Sequence, residues 1–181
     1  GNGAIVHYSA PEHGSKEVHA EGSILVDSGG QYLEGTTDIT RTIPLGKVSQ
    51  QFIDDSTLVL KGMIQLAMVQ FPKGTRGVQL DAYARMALWK NHKDYGHGTG
   101  HGVGSFMNVH EGPQNIRKDL NPQVLLKGMV CSDEPGFYLE NQYGIRHENL
   151  VAVREVTTNE FGTFYDFETL TLCPFMPSGI N

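Results

Sequence analysis

The chain has 181 residues, 39% of them apolar and 19% charged, with a formal charge of −6. That length fits one domain with a real core, the composition excludes intrinsic disorder, and the lack of any Lys/Arg run excludes nucleic acid as a partner. No apolar run approaches the ~20 residues that span a bilayer, and the start lacks the layout of a signal peptide. No membrane partner is therefore expected, and the chain reads as soluble and cytoplasmic. Cys131 and Cys173 are too few and too far apart for a disulfide framework or a CxxC metal knuckle, so both read as reduced thiols.

In chain order, Gly3 to Tyr8 is a short apolar strand, and the polar stretch Ser9 to Gly22 is a loop. Ser23 to Asp27 (SILVD) and Thr36 to Ile43 (TTDITRTI) form a β-hairpin around the glycines of Ser28 to Gly35. Ser49 is the N-cap of a long helix to about Phe71, with Ile53, Leu60, Ile64, Ala67 and Phe71 on its apolar face and Pro72 ending it. A second helix runs from Val78 to Trp89. From Tyr95 to Gly104 the sequence YGHGTGHGVG has five glycines in ten residues, which excludes a stable helix there. Ser105 to Glu111 reads as a strand. Met129 to Leu139, led in by Val124 to Val130, pairs with Tyr143 to Val153 around the turn Glu140-Asn141-Gln142, and Thr163 to Leu172 is a last strand that closes the sheet.

Each hairpin carries an acid on both arms. A turn centred near Tyr32 and Leu33 puts Asp27 opposite Asp38, and a turn at Asn141 relates Glu134 to Glu148 in the same way. Four buried carboxylates facing one another are untenable without compensation. Two divalent ions would supply it, and a hydroxide bridging them would leave the cluster near −1. His101, flanked by Gly100 and Gly102, can approach such a centre closely. One imidazole with four carboxylates is a mostly hard donor set that suits Mn²⁺ and also holds Zn²⁺, Co²⁺ or Fe²⁺. Such a pair generates a nucleophilic hydroxide and polarises a carbonyl, so hydrolysis is the natural reaction class. Taken alone, the acid pairs leave open that they face solvent or lysines. Other motifs fail. His97 and His101 lack the Glu and the helix of HExxH, the glycines do not fit GxGxxG, and Ser28 in DSGG has no GxSxG elbow.

The segments NGAIVHY (Asn2 to Tyr8), DSGGQYLEGTTDITRT (Asp27 to Thr42), HGTGHGVGSFMNVHEGP (His97 to Pro113), DEPGFY (Asp133 to Tyr138) and GIRHENL (Gly144 to Leu150) closely resemble Xaa-Pro aminopeptidases. The likeness runs in order from Gly1 to about Phe175. It implies an α+β pita-bread fold of the creatinase/aminopeptidase type, with a mostly antiparallel curved sheet, flanking helices and a dinuclear centre. The catalytic domain would occupy residues 1–175, N-terminally truncated relative to the family, with 176–181 an unassigned tail.

The resemblance also assigns the family's five ligands to Asp27, Asp38, His101, Glu134 and Glu148. Asp38 and Glu148 would bridge two divalent ions, Asp27 would chelate one of them, and His101 with Glu134 would hold the other. By the same likeness His7, His97 and His110 line the substrate site, while Tyr138 and Arg146 orient its hydrogen bonds. His147 departs from many relatives, and strand alternation turns it away from Glu148, so it is not assigned as a ligand.

The implied reaction is hydrolysis of the N-terminal Xaa-Pro bond by a metal-bridging hydroxide. Glu134 would pass the proton toward the leaving proline nitrogen, and the peptide's amino terminus would lie near Asp27. Partners are peptides with proline at the second position, and a homodimer is allowed. Prolidase is the nearest alternative, and a non-catalytic pita-bread binding module is the alternative outside the enzymes.

Overall fold

The computed structural model describes residues 6–8, 12–15, 17–106 and 108–181. The first half of the expected strand Gly3 to Tyr8 lies outside them, and the described half, Val6 to Tyr8, is not in a strand. Strands β1 (Ser23–Ser28) and β2 (Ile39–Pro44) form the first hairpin. Its register differs from the expected one, because Asp27 pairs with Thr40 rather than with Asp38. The connection closes one residue later than the spacing suggests, through a Gln31–Thr36 bridge and a hydrogen bond from the Tyr32 N–H to the Gly35 carbonyl. Asp38 consequently precedes β2 and lies diagonal to Asp27 on the same face.

Helix α1 (Gln50–Ala67) begins where expected, with the Ser49 hydroxyl accepting from the Phe52 N–H at 3.1 Å. It ends four residues before the expected Phe71. Proline disfavours helical backbone in the residue before it, and Phe71–Pro72 instead form a short strand, β3. The expected apolar face is also incorrect. Phe52, Val59, Met63 and Leu66 are buried while Ile64 is exposed, and the inward side also carries Asp55, Ser56 and Gly62. Helix α2 (Gly77–Trp89) crosses α1 at Gly62, where a Cβ would sit 2.0 Å from the Ala84 carbonyl oxygen.

The glycine-rich loop delivers a two-residue strand, β4 (Gly100–His101), paired with β5 (Asn115–Ile116). Among the described residues of the segment Ser105 to Glu111, where a strand is expected, none forms. Gly104 donates to the Asn108 carbonyl and Glu111 to that of Gly102, which folds the segment back on itself.

The second hairpin keeps its expected register about Asn141, but each arm is broken. One arm is β6 (Val130–Asp133) and β7 (Gly136–Leu139); the other is β8 (Tyr143–Arg146) and β9 (Asn149–Asn159). Asp133 still pairs with Asn149, and Gly136 with Arg146. Between the two ladders, the Glu134 N–H goes to the Thr99 carbonyl at 2.8 Å and the Glu148 N–H to that of Thr40 at 3.1 Å. The hairpin thus opens where the glycine-rich loop and the first hairpin dock. Strand β10 (Gly162–Thr169) ends short of the expected Leu172 and completes the sheet β3-β10-β9-β6.

Two apolar clusters pack the helices against the strands. One contains Leu66, Phe71, Ile116, Leu125 and Val151, and the other Phe52, Val59, Leu88, Tyr95 and Ile145. After β10 the chain crosses β2 and reaches α1, where the Asn181 N–H donates to the Thr57 hydroxyl at 2.9 Å. The expected tail therefore packs against the first helix.

Candidate metal centre

Three sets of donor atoms come together, each within 4.8 Å: Asp27, Asp38 and Glu148; His101, Glu134 and Glu148; and Asp38, His101 and His110. The five residues expected as ligands therefore converge, with Glu148 common to the first two sets. His101 Nε2 lies 3.3 Å from both Asp38 Oδ2 and Glu134 Oε1. Its Nδ1 donates to the Gly102 carbonyl at 2.9 Å, so Nε2 is the ring nitrogen turned toward the carboxylates, where it can carry a proton or meet a cation.

The electrostatics of this cluster call for positive charge. Burial pushes Glu134 up to about 7, opposed by His101, and burial with the neighbouring Glu134 and Asp38 pushes Glu148 up to about 8. For His101, burial favours the neutral form, but the hydrogen bond to Asp38, the Gly102 carbonyl and the Glu134 charge outweigh it and raise the imidazole to about 9. Carboxyls that retain protons near neutrality show what the arrangement costs by itself. Divalent cations would relieve that cost, and the oxygen-rich donor set fits them.

Around the cluster runs a chain of hydrogen bonds. Arg146, 1% exposed, donates from Nη2 to Asp27 Oδ2 at 2.6 Å, from Nη1 to the Tyr138 hydroxyl at 3.0 Å, and from Nε to the Thr40 hydroxyl at 3.3 Å. The Tyr138 hydroxyl donates to His97 Nε2 at 2.9 Å, because His97 Nδ1 gives its own proton to the Gly98 carbonyl at 2.8 Å. Burial holds His97 neutral, down to about 4. His110 stacks edge-on against His101 with ring centroids 4.2 Å apart, and His7 lies 6.3 Å beyond His110. His7, His97, His110 and Arg146 line an open cleft of about 1000 Å³ with the acidic cluster at its base. All the site residues expected from the sequence are thus brought together.

His147 points the other way, as alternation requires. Its Nε2 meets the Ser56 hydroxyl on α1 at 2.9 Å, and its ring stands edge-on to Phe175. Burial, with the Arg41 charge next, lowers it to about 4. The unfolded chain therefore binds this proton first as the pH falls, so His147 costs stability between about pH 6.5 and 4, at up to about 1.4 kcal/mol per pH unit. His147→Phe is expected to shrink the acid-side loss. Chemical denaturation of both proteins at pH 7 and pH 5 checks this, and a difference in stability that does not change with pH refutes it.

Three supports were missed by the sequence reading. The Thr40 hydroxyl donates to Glu148 Oε2 at 2.6 Å, and the Ser132 hydroxyl donates to Glu134 Oε1 at 2.9 Å while accepting from the His101 N–H at 3.0 Å. Thr40 lies two residues after Asp38 and Ser132 two before Glu134, so the strand period of two is the signal that could have found them. Behind the glycine-rich loop, Arg85 on α2 is fully buried. It binds Asp81 through Nε at 2.6 Å and holds the carbonyls of Tyr95 and His97 at 2.7 and 2.8 Å.

Comparison with known proteins agrees with this geometry. The profile of metallopeptidase family M24 matches residues 1–155. The chain is 49% identical over 183 aligned residues to Xaa-Pro aminopeptidase 1 of Dictyostelium discoideum, an alignment covering 99% of this chain and 29% of that protein. It superposes with a TM-score of 0.92 and 42% identity on X-prolyl aminopeptidase from Caenorhabditis elegans, described as a cytosolic enzyme with a di-nuclear active site; 98% of this chain and 29% of that one are covered. With Xaa-Pro dipeptidase from Bacillus anthracis the TM-score is 0.77 at 28% identity, covering 96% of this chain and 44% of that one. The chain thus spans about 29% of the length of the two aminopeptidases. Matching sequence, superposable pita-bread architecture and a convergent acidic cluster together place this chain in metallopeptidase family M24.

Proposed function

We propose that this chain carries the catalytic centre of an aminopeptidase that hydrolyses the N-terminal Xaa-Pro bond of peptides, with residues 1–175 as the catalytic unit and the cytosol as its location. The observation that carries the reading is the convergence of Asp27, Asp38, His101, Glu134 and Glu148 on one shared volume. Those five side chains would hold two divalent ions, Mn²⁺ first on the hardness of the donors. When bound, the ions supply an activated water as nucleophile and polarise the scissile carbonyl.

The remaining work falls to side chains of this chain. Glu134, whose carboxyl shares a donor set with His101 and Glu148, would take the nucleophile's proton and return it to the departing proline nitrogen. Asp27 lies at the cleft with its side chain 41% accessible, and it would meet the peptide's amino terminus. A proline amide carries no N–H, so selectivity must rest on pocket shape, with His7 and His97 against the ring and His110 at the carbonyl oxygen. Arg146 and Tyr138 hold Asp27 and His97 in register with one another.

Chelation is expected to abolish turnover of a Xaa-Pro-Pro peptide, and readdition of Mn²⁺, Co²⁺ or Zn²⁺ in turn to restore it with two ions per chain. Stoichiometric metal without turnover would refute the activity. The likeness to a Xaa-Pro dipeptidase supports a second reading, prolidase. Faster hydrolysis of Gly-Pro than of Xaa-Pro-Pro would favour it.

A further inference from the structure

We propose that Arg41, together with the strap Cys173 to Phe175 that it grips, is a positioning device for the metal centre, acting through the backbone of Glu148. This rests on the dinuclear reading above. Arg41 follows Thr40 on β2, so alternation sends its side chain to the face opposite the Thr40 hydroxyl, and it is 7% exposed there. All five of its N–H donors are used. Nη1 donates to the carbonyls of Thr40 at 2.9 Å and Glu148 at 2.5 Å. Nη2 donates to Asn149 Oδ1 at 2.8 Å and to the Cys173 carbonyl at 2.6 Å, and Nε to the Pro174 carbonyl at 3.4 Å. The guanidinium also lies 4.1 Å from the centre of the Phe175 ring, whose neighbour on another side is His147.

The consequence is a Glu148 fixed at three points. Its N–H is held by the Thr40 carbonyl, its carboxylate by the Thr40 hydroxyl and its own carbonyl by Arg41. The Thr40 carbonyl receives both the Glu148 N–H and the Arg41 N–H, so one guanidinium sets the spacing between β2, which follows Asp38, and the segment bearing Glu148. Those two carboxylates share a donor set with Asp27. All five acceptors are carbonyl or amide oxygens, so the guanidinium places an unneutralised positive charge directly behind an acidic cluster. A lysine at this position offers three donors without the planar fork and cannot reproduce the pattern. The strap thereby becomes part of the centre although it supplies none of the donors.

The test is Co²⁺ titration of wild type, Arg41→Lys, Arg41→Met and Phe175→Leu, reading affinity, stoichiometry and the Co²⁺ absorption band, alongside thermal melts of the metal-free proteins. Arg41→Met is expected to lose roughly 10- to 100-fold in affinity for Co²⁺, as removal of an outer support does, with a changed absorption band, since Glu148 belongs to two of the donor sets. Arg41→Lys should recover part of that loss, and Phe175→Leu, which removes the ring against the guanidinium, should lose affinity in the same direction by less than Arg41→Met. If Arg41→Met fails to fold, Phe175→Leu decides. Variants that melt earlier yet bind two Co²⁺ with wild-type affinity and spectrum would overturn the proposal and leave Arg41 a rivet of the fold. A folded wild type that binds no stoichiometric Co²⁺ would overturn the dinuclear reading itself, and this inference with it.

Discussion

Glu134→Gln is expected to cut kcat on a Xaa-Pro-Pro peptide by roughly 10²- to 10⁴-fold, the range for a lost general acid–base group, while the thermal midpoint hardly moves. The substitution keeps size and shape. The backbone anchor from the residue 134 N–H to the Thr99 carbonyl is untouched, and the Ser132 hydroxyl can still donate to the amide oxygen. What disappears is a carboxylate inside the donor set with His101 and Glu148, the group proposed to carry the proton from the nucleophile to the leaving nitrogen. Bound metal must be measured in parallel, since residue 134 is also a proposed ligand. Substantial turnover by the metal-loaded variant would refute the role given to Glu134.

Arg85→Met is expected to cost about 3–5 kcal/mol, because it strands a buried carboxylate. In a chain of this size each kcal/mol moves the midpoint by roughly 2–4 °C, so a fall of about 10 °C is expected. Asp81 is 2% exposed; Arg85 reaches both of its oxygens and the Thr99 hydroxyl donates to it at 2.6 Å. Adding Asp81→Leu removes the orphaned charge along with the guanidinium. The double variant should regain more than half of the lost stability, since an apolar pair often replaces a buried ion pair without penalty. It should not regain full activity, because the carbonyls of Tyr95 and His97 remain unheld and the glycine-rich loop with them. A double variant as unstable as the sum of the single ones would show that the ion pair is not the source of the loss.

Features whose cause lies within a few residues were legible. Ser49 caps its helix, α2 starts within one residue of the expected place, and the turn at Asn141, with its left-handed φ of 60°, fixes the register that sets Glu134 opposite Glu148. Features set by distant partners were not. The α1 face was misjudged because its inward Asp55 and Ser56 are satisfied from far along the chain, Asp55 by Lys93 and Tyr143, and Ser56 by His147. The Asp27 register slipped because four residues of turn can close in more than one way, yet a slip of two preserves the face, so the acids still meet. Ser105 to Glu111 has strand-like composition, but its backbone groups fold back on Gly102 and Gly104. Arg41 and Arg85 are charged residues on an ordinary strand and helix, and nothing local marks them as buried clamps.

The gap in the second hairpin bears on how the protein matures. Glu148 is tied to Thr40 across 108 positions, and Glu134 to the loop at Thr99, so no contiguous stretch of polypeptide contains a pocket for an ion. A partly assembled chain offers scattered acids, and only the finished one offers a cage. Divalent ions would therefore act on the end of folding rather than its beginning, and each tenfold excess of free ion over its dissociation constant adds about 1.4 kcal/mol in favour of the completed state. Metal supply would then govern how much folded protein persists as well as how fast it works.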